Sequence, residues 1–201
     1  MRASVIDDGL FIEPMQDCKE LASFVCGNQQ LDDFIHAYLG ECDACHYCLT
    51  YVVRSSKTRQ MVAIFSLAFD SVKLDEDDFE DMRIGAAGTG KPSVEDWFRD
   101  RFEEKAVYPA LEIAYLAVAK DCQHLHLGTE ILSQIEYMAK TQKIAGCVFL
   151  TVNALHTRDY STIAFYEMNG FAKLTALPQA DVWPMYKTLW VEDSVSTEPQ
   201  I

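Results

Sequence analysis

An apolar run, PALEIAYLAV (109–118), is followed by a polar turn and then by GTEILSQIEYMAKTQ, in which Ile131, Leu132, Ile135, Met138 and Ala139 recur at helical spacing. A second apolar run, GCVFLTVNA (146–154), comes next. Two antiparallel neighbours need only a short turn between them, whereas a helix between two strands is the connection of a parallel pair. This segment therefore commits the chain to an α/β fold with at least one parallel pair joined by a helical crossover.

The flanks add antiparallel strands. LTYVV and MVAIFSLAF surround a polar turn at SSKTRQ and read as a hairpin. FAKLT and VWPMYKTLW read as closing strands. Upstream, CGNQQLDDFIHAYLGEC reads as a helix capped by Asn28, with Leu31, Phe34, Ile35, Tyr38 and Leu39 on one apolar face. STIAFYEMNG reads as a short helix with Ser161 as cap and Gly170 just past its end, where left-handed dihedrals are required. The chain is expected to be one domain over 1–190 with an insertion at about 71–107 and a polar tail at 191–201. The insertion carries seven acids between Asp70 and Asp81, a Gly-rich loop with Pro92, and VEDWFRDRF as a helix capped by Ser93.

Charge narrows the function classes. Seventeen Lys and Arg against 31 Asp and Glu give a net charge of −14, which opposes a polyanionic partner and favours a cationic one, or simply keeps the chain soluble. Nucleic acid is therefore not an expected partner. No apolar run reaches the ~18–20 residues of a membrane span, and MRASVIDDGLFIEP has no long apolar segment of a secretion signal. Seven cysteines, odd in number and scattered, fit a reducing cytoplasm. Cys42, Cys45 and Cys48 form C-x-x-C-x-x-C around His46, but such spacing also lines one face of a helix, and no metal is expected there. His36 and His156 stand isolated. The run Asp75–Asp81 is either a solvated face or a rim that attracts a cation.

The turn QHLHLGTEIL (123–132) raises a sharper question. The first turn of a helix leaves N–H groups unpaired, and with the helix dipole these suit a phosphate or diphosphate. Gly128 permits close approach, Gln123 is able to fasten the loop, and His124 or His126 adds a donor. Neither G-x-G-x-x-G nor G-x-x-x-x-G-K-[ST] is present, so alone the stretch is equally an ordinary strand-to-helix turn.

A second motif changes that. Gln123-x-x-His126-x-Gly128 has the spacing of the Q/R-x-x-G-x-G/A loop, and Phe165, Tyr166, Glu167, Met168, Asn169, Gly170 and Phe171 match F-Y-E-K-x-G-F. Together they resemble the GCN5-related N-acetyltransferase (GNAT) superfamily, with His126 and Met168 as departures. FVCGNQQLDDFI followed by LTYVV is similar to the N-terminal half of acetyltransferase toxins that acetylate aminoacyl-tRNA and pair with an antitoxin.

The resemblance implies a mixed central sheet with two splayed parallel strands, flanking helices, and acetyl-CoA in the splay. It implies that backbone at Leu116, Ala117 and Val118 meets the pantetheine arm. Gln123, His124, His126, Leu127, Gly128 and Thr129 would form the diphosphate loop, Asn153 at the end of the next strand would be an amide partner for the pantetheine, and Phe165 would also meet the cofactor. Tyr166 would protonate the leaving thiolate, unless it is only a packed aromatic. Glu112, an acid within an apolar strand, is the candidate base, acting through water; the alternatives are an edge glutamate that faces solvent and a water chain with no residue as base. Tyr115 is a further pocket candidate. The expected acceptor is a small amine or peptide amine. An aminoacyl-tRNA substrate with an antitoxin-like partner, and a protein-interaction module that binds coenzyme A poorly, are the alternatives. Exposed strands near the C-terminus make a homodimer an expectation as well.

Overall fold

The computed structural model describes residues 4–6, 9–73, 107–175 and 178–189. The expected acidic run, the Gly-rich loop with its following helix, and the polar tail lie outside the described residues.

Among the described residues, eight strands form one sheet in the order β1-β2-β3-β4-β5-β6-β8-β7. They are β1 (Ser4–Ile6), β2 (Leu10–Pro14), β3 (Leu49–Ser55), β4 (Met61–Val72), β5 (Tyr108–Val118), β6 (Phe149–Leu155), β7 (Ala172–Lys173) and β8 (Val182–Thr188). Every neighbouring pair is antiparallel except β5 and β6, which are parallel and joined through helix α3 (Leu127–Thr141). The crossover expected from periodicity is therefore present. Ile131, Leu132, Ile135 and Ala139 bury one face of α3 against Phe65, Ile113, Leu150 and Val152, and Met138 packs at the margin of that cluster.

The opposite face of the sheet is covered by an N-terminal helical segment: α1 (Gln29–Phe34), a π-helical turn (Ile35–Leu39) and α2 (Gly40–Ala44). Ile35 and Leu39 pack there with Leu21, Phe24, Val52, Ile64 and Ala117. Asn28 caps α1 as expected, its side chain accepting from Leu31 N–H at 3.1 Å. Tyr38 departs from the expected apolar face and is 59% exposed. The π turn holds an extra residue, so side chains beyond it lose the strict 3.6-residue phase.

Asp32 was not singled out by the sequence pattern, yet it is 6% exposed. Its carboxylate accepts from Cys26 N–H at 2.8 Å and Gly27 N–H at 3.0 Å, which fixes the chain reversal before α1. Short helix α4 (Ile163–Met168) follows β6. Its N-cap is Thr162 rather than Ser161, although Ser161 Oγ accepts from Ile163 N–H at 3.4 Å. Gly170 has φ +82° just beyond the helix, as the turn requires.

Candidate active site

Strands β5 and β6 pair only at Ala110–Phe149, Leu111–Leu150 and Glu112–Thr151. Beyond Glu112 the register ends, while β5 continues along β4 as far as Val118–Ala63. One edge of β5 is thus unpaired from residue 113 to 118, a length of about 20 Å at strand rise. The two parallel strands form a wedge with its fork at Glu112.

The register decides which backbone groups face the wedge. Ala119 N–H donates to Val62 O at 2.8 Å, so residue 119 points its backbone at β4. Alternation in an antiparallel ladder then turns Ala117 toward β4 and Leu116 and Val118 toward the open edge. Val118 O accepts from Gln123 Nε2 at 3.1 Å, consistent with that orientation. Leu116 and Val118 therefore offer the backbone groups expected of them, with Val118 contributing its N–H. Ala117 is a correction: its backbone lies in the β4 ladder opposite Ile64 and its side chain packs under the N-terminal helices.

At the mouth of the wedge lies the turn into α3. Gln123 Nε2 also donates to Cys26 O at 2.7 Å, so this side chain ties the turn to the loop before α1. His124 and His126 both have positive φ, 62° and 60°, and both are exposed. His126 occupies the N-cap position of α3 at φ 60°, ψ 7°, the left-handed region that glycine enters without penalty. The departure from the loop pattern therefore costs strain but preserves the turn. Leu127 and Gly128 N–H meet no acceptor among the described residues. Thr129 is a second correction, because its N–H already donates to His126 O at 3.1 Å. A Cβ on Gly128 would lie 3.1 Å from the Phe165 ring, tight enough that the ring would have to give by a few tenths of an ångström, so glycine lets Phe165 close α4 against the start of α3 without that shift.

Replacing His126 with glycine removes a left-handed penalty of ~1–2 kcal/mol and adds ~0.5–1 kcal/mol of backbone entropy loss. The net expectation is a stabilisation of about 0.5–1 kcal/mol. A thermal melt of His126→Gly beside the parent protein measures it; an unchanged or lower midpoint contradicts the strain.

The chemical groups flank the wedge on opposite faces of the sheet. Tyr166, on α4, is 6% exposed and packs edge-on against Phe165 and Phe171, with ring centroids 5.0 and 5.4 Å away. Burial, reinforced by nearby Tyr160, pushes its phenol well above the ordinary tyrosine range. Its hydroxyl has no hydrogen-bond partner among the described residues and is not one of the fully enclosed polar atoms. The group is thus a protonated donor with nothing yet to donate to.

Glu112 lies on the other face, opposite Ala68 across the β4 ladder. Burial, then the nearby Asp70 charge, raises its carboxyl above the usual range, against a hydrogen bond from Asn153 Nδ2 at 3.0 Å. Asn153 is therefore engaged with Glu112, where the sequence reading had it facing the cofactor. Asp70 itself accepts from Thr151 Oγ1 at 2.6 Å. Neither Asp70 nor Thr151 was identified from sequence, because only the strand register brings them together. Tyr115 stacks on Phe34 at 4.5 Å, and its phenol is pushed up to about 12, chiefly by burial.

The remaining polar candidates have structural partners. His36 Nε2 lies 2.7 Å from Phe24 O, and His156 Nδ1 lies 3.1 Å from Ser161 Oγ. Cys48 is buried, whereas Cys45 is exposed. Among the described residues no group of three His, Cys, Asp or Glu is placed to hold a metal ion, and no helix is long and apolar enough to cross a membrane.

Comparison with known proteins agrees with this architecture. No curated protein matches the sequence. Solved structures match the fold over nearly the whole chain. AtaTR bound with AcCoA has a TM-score of 0.64 at 16% identity, covering 91% of this chain and 95% of that one. A bacterial toxin has a TM-score of 0.62 at 17% identity, covering 89% and 90%. AtaT complexed with acetyl-methionyl-tRNAfMet has a TM-score of 0.60 at 16% identity, covering 87% and 93%. Residues 84–171, which span the splayed strands and the Phe165–Phe171 motif, match the acetyltransferase (GNAT) family model.

Proposed function

We propose that the protein is a cytoplasmic N-acetyltransferase that moves an acetyl group from acetyl-CoA to a primary amine. The wedge carries this reading: an unpaired β5 edge leads from the fork at Glu112 to the unpartnered Leu127 and Gly128 N–H groups. The edge amides suit the amides of pantetheine, and the helix start suits the diphosphate. AtaTR, whose fold the chain shares, was crystallised with acetyl-CoA.

Acetyl-CoA supplies an acyl carbon activated as a thioester. The acceptor approaches from the side of α1 and α2, where Glu112 takes one proton from the ammonium and frees the nitrogen lone pair. That pair attacks the thioester carbon at the fork of the wedge. As the carbon–sulfur bond breaks, its electron pair leaves on sulfur and Tyr166 returns a proton there. The second nitrogen proton passes to solvent, from which Tyr166 is reprotonated.

A small amine or peptide amine is the acceptor class this reading favours, since −14 of net charge opposes a polyanion. The second reading is a toxin-like enzyme acting on aminoacyl-tRNA with an antitoxin-like partner. It is supported by the shared fold with AtaT in complex with acetyl-methionyl-tRNAfMet and with the KacTA–DNA complex. A homodimer through an exposed sheet edge is compatible with either. Acetyl-CoA-dependent thiol release across a panel of amines, peptides and aminoacyl-tRNA separates them. Turnover with small amines or peptides supports the first, turnover only with aminoacyl-tRNA supports the second, and release with none contradicts both.

A further inference from the structure

We propose that Asp70 is a positioning residue for the acceptor's proton: held by Thr151 at the fork of the wedge, it forms with Glu112 a carboxylate pair that makes Glu112 the proton-accepting member. The inference rests on the proposed role of Glu112 as base.

Three strands supply the arrangement. Glu112 is the last β5 residue paired with β6, and its partner there is Thr151. Asp70, on β4, lies opposite Ala110. Alanine leaves the space above β5 clear, and the Asp70 side chain crosses it to accept the Thr151 hydroxyl at 2.6 Å. Asn153, two residues further on the same face of β6, donates to Glu112 at 3.0 Å. Each carboxylate is thus held by a neutral donor from β6, and no cation separates them among the described residues.

The consequences for the two acids differ. Asp70 is exposed and accepts the Thr151 hydroxyl at 2.6 Å. Glu112 is half-buried, and both burial and the Asp70 charge favour its neutral form. Two like charges in one site do not ionise independently, so a proton delivered to the pair goes to the more buried Glu112. The other groups facing this site are Thr151 and Asn153 from β6, Tyr115 from its own strand, and Cys42, Tyr47 and Cys48 grouped about Tyr115 from the helical side. An arriving ammonium meets two carboxylates and leaves its proton on the more basic one, a better match to an amine than an isolated glutamate.

Asp70→Asn preserves shape and removes only charge. The test measures the pH dependence of kcat/KM with acetyl-CoA for the parent, Asp70→Asn and Glu112→Gln. It also follows the Glu112 carboxyl directly in ¹³C-glutamate-labelled protein, assigned by its loss in Glu112→Gln. The expected result is that the Glu112 titration and the acidic limb both move to lower pH in Asp70→Asn, with a lower plateau rate. A merely structural role for Asp70 would scale the rate equally at every pH. An unchanged Glu112 titration in Asp70→Asn overturns the pairing. If the titration moves while no amine is turned over, the pairing stands and the acetyltransferase reading fails.

Discussion

Tyr166→Phe is expected to lower kcat about a hundredfold while leaving acetyl-CoA affinity and the melting temperature unchanged. The rate falls because the leaving thiolate loses its proton donor. Affinity persists because the proposed diphosphate and pantetheine contacts lie on α3 and the β5 edge rather than on the phenol. Stability persists because the ring, not the hydroxyl, makes the contacts with Phe165 and Phe171. The pH profile gives a second check. A phenol raised above its ordinary value stays protonated through the working range, so Tyr166 imposes no loss of rate below about pH 10. Steady-state kinetics with calorimetry on the same preparation decides the matter. Full turnover in the variant would reduce Tyr166 to a packing residue.

The second large effect is on folding. Asp32→Ala removes the acceptor of two backbone N–H groups at the loop before α1 and strands both donors in a closed environment. Hydrogen bonds to a charged group, lost without replacement, give an expected destabilisation of about 3 kcal/mol. In a chain of this length that lowers the melting midpoint by about 10 °C. Burial alone would raise the Asp32 pKa, but the hydrogen bonds from Cys26 and Gly27, aided by His36, bring it below the usual value. The stabilisation is therefore complete above the unfolded-state value near pH ~4 and is lost as pH falls through the folded value. The stability gap between parent and variant should be widest at neutral pH and close in acid. A gap independent of pH would contradict the charged, hydrogen-bonded state. The same loop is tied to the turn into α3, since Cys26 O also receives Gln123 Nε2.

Periodicity carried much of the fold. The alternation around SSKTRQ, the stripe along α3, and Asn28 and Gly170 at helix ends are all local signals that packing did not override. Tyr38 escaped because a π-helical turn changes the phase within an otherwise regular pattern. Ser161 was displaced by one residue, a shift common at helix ends.

The site was legible to a different degree. The loop and the Phe165–Phe171 motif could be located because their spacing is local. Which backbone groups of residues 116–118 face the wedge depends on the pairing of β4 with β5, more than forty residues apart, so Ala117 was placed with its neighbours. The engagement of Asn153 by Glu112 and the partnership of Asp70 with Thr151 depend on that register too. Asp70 had a faint local trace, an acid two residues beyond Ala68 at the end of an apolar strand. Only the distance across three strands gives it meaning.

The central claim is that the unpaired edge of β5 is the acetyl-CoA site, and a crystal structure of the complex tests it most directly. The account predicts pantetheine amides paired with Leu116 and Val118, the diphosphate on Leu127 and Gly128 N–H, and the acetyl sulfur within reach of Tyr166. A complex in which β6 pairs with β5 beyond Glu112, with the ligand bound elsewhere, would contradict it.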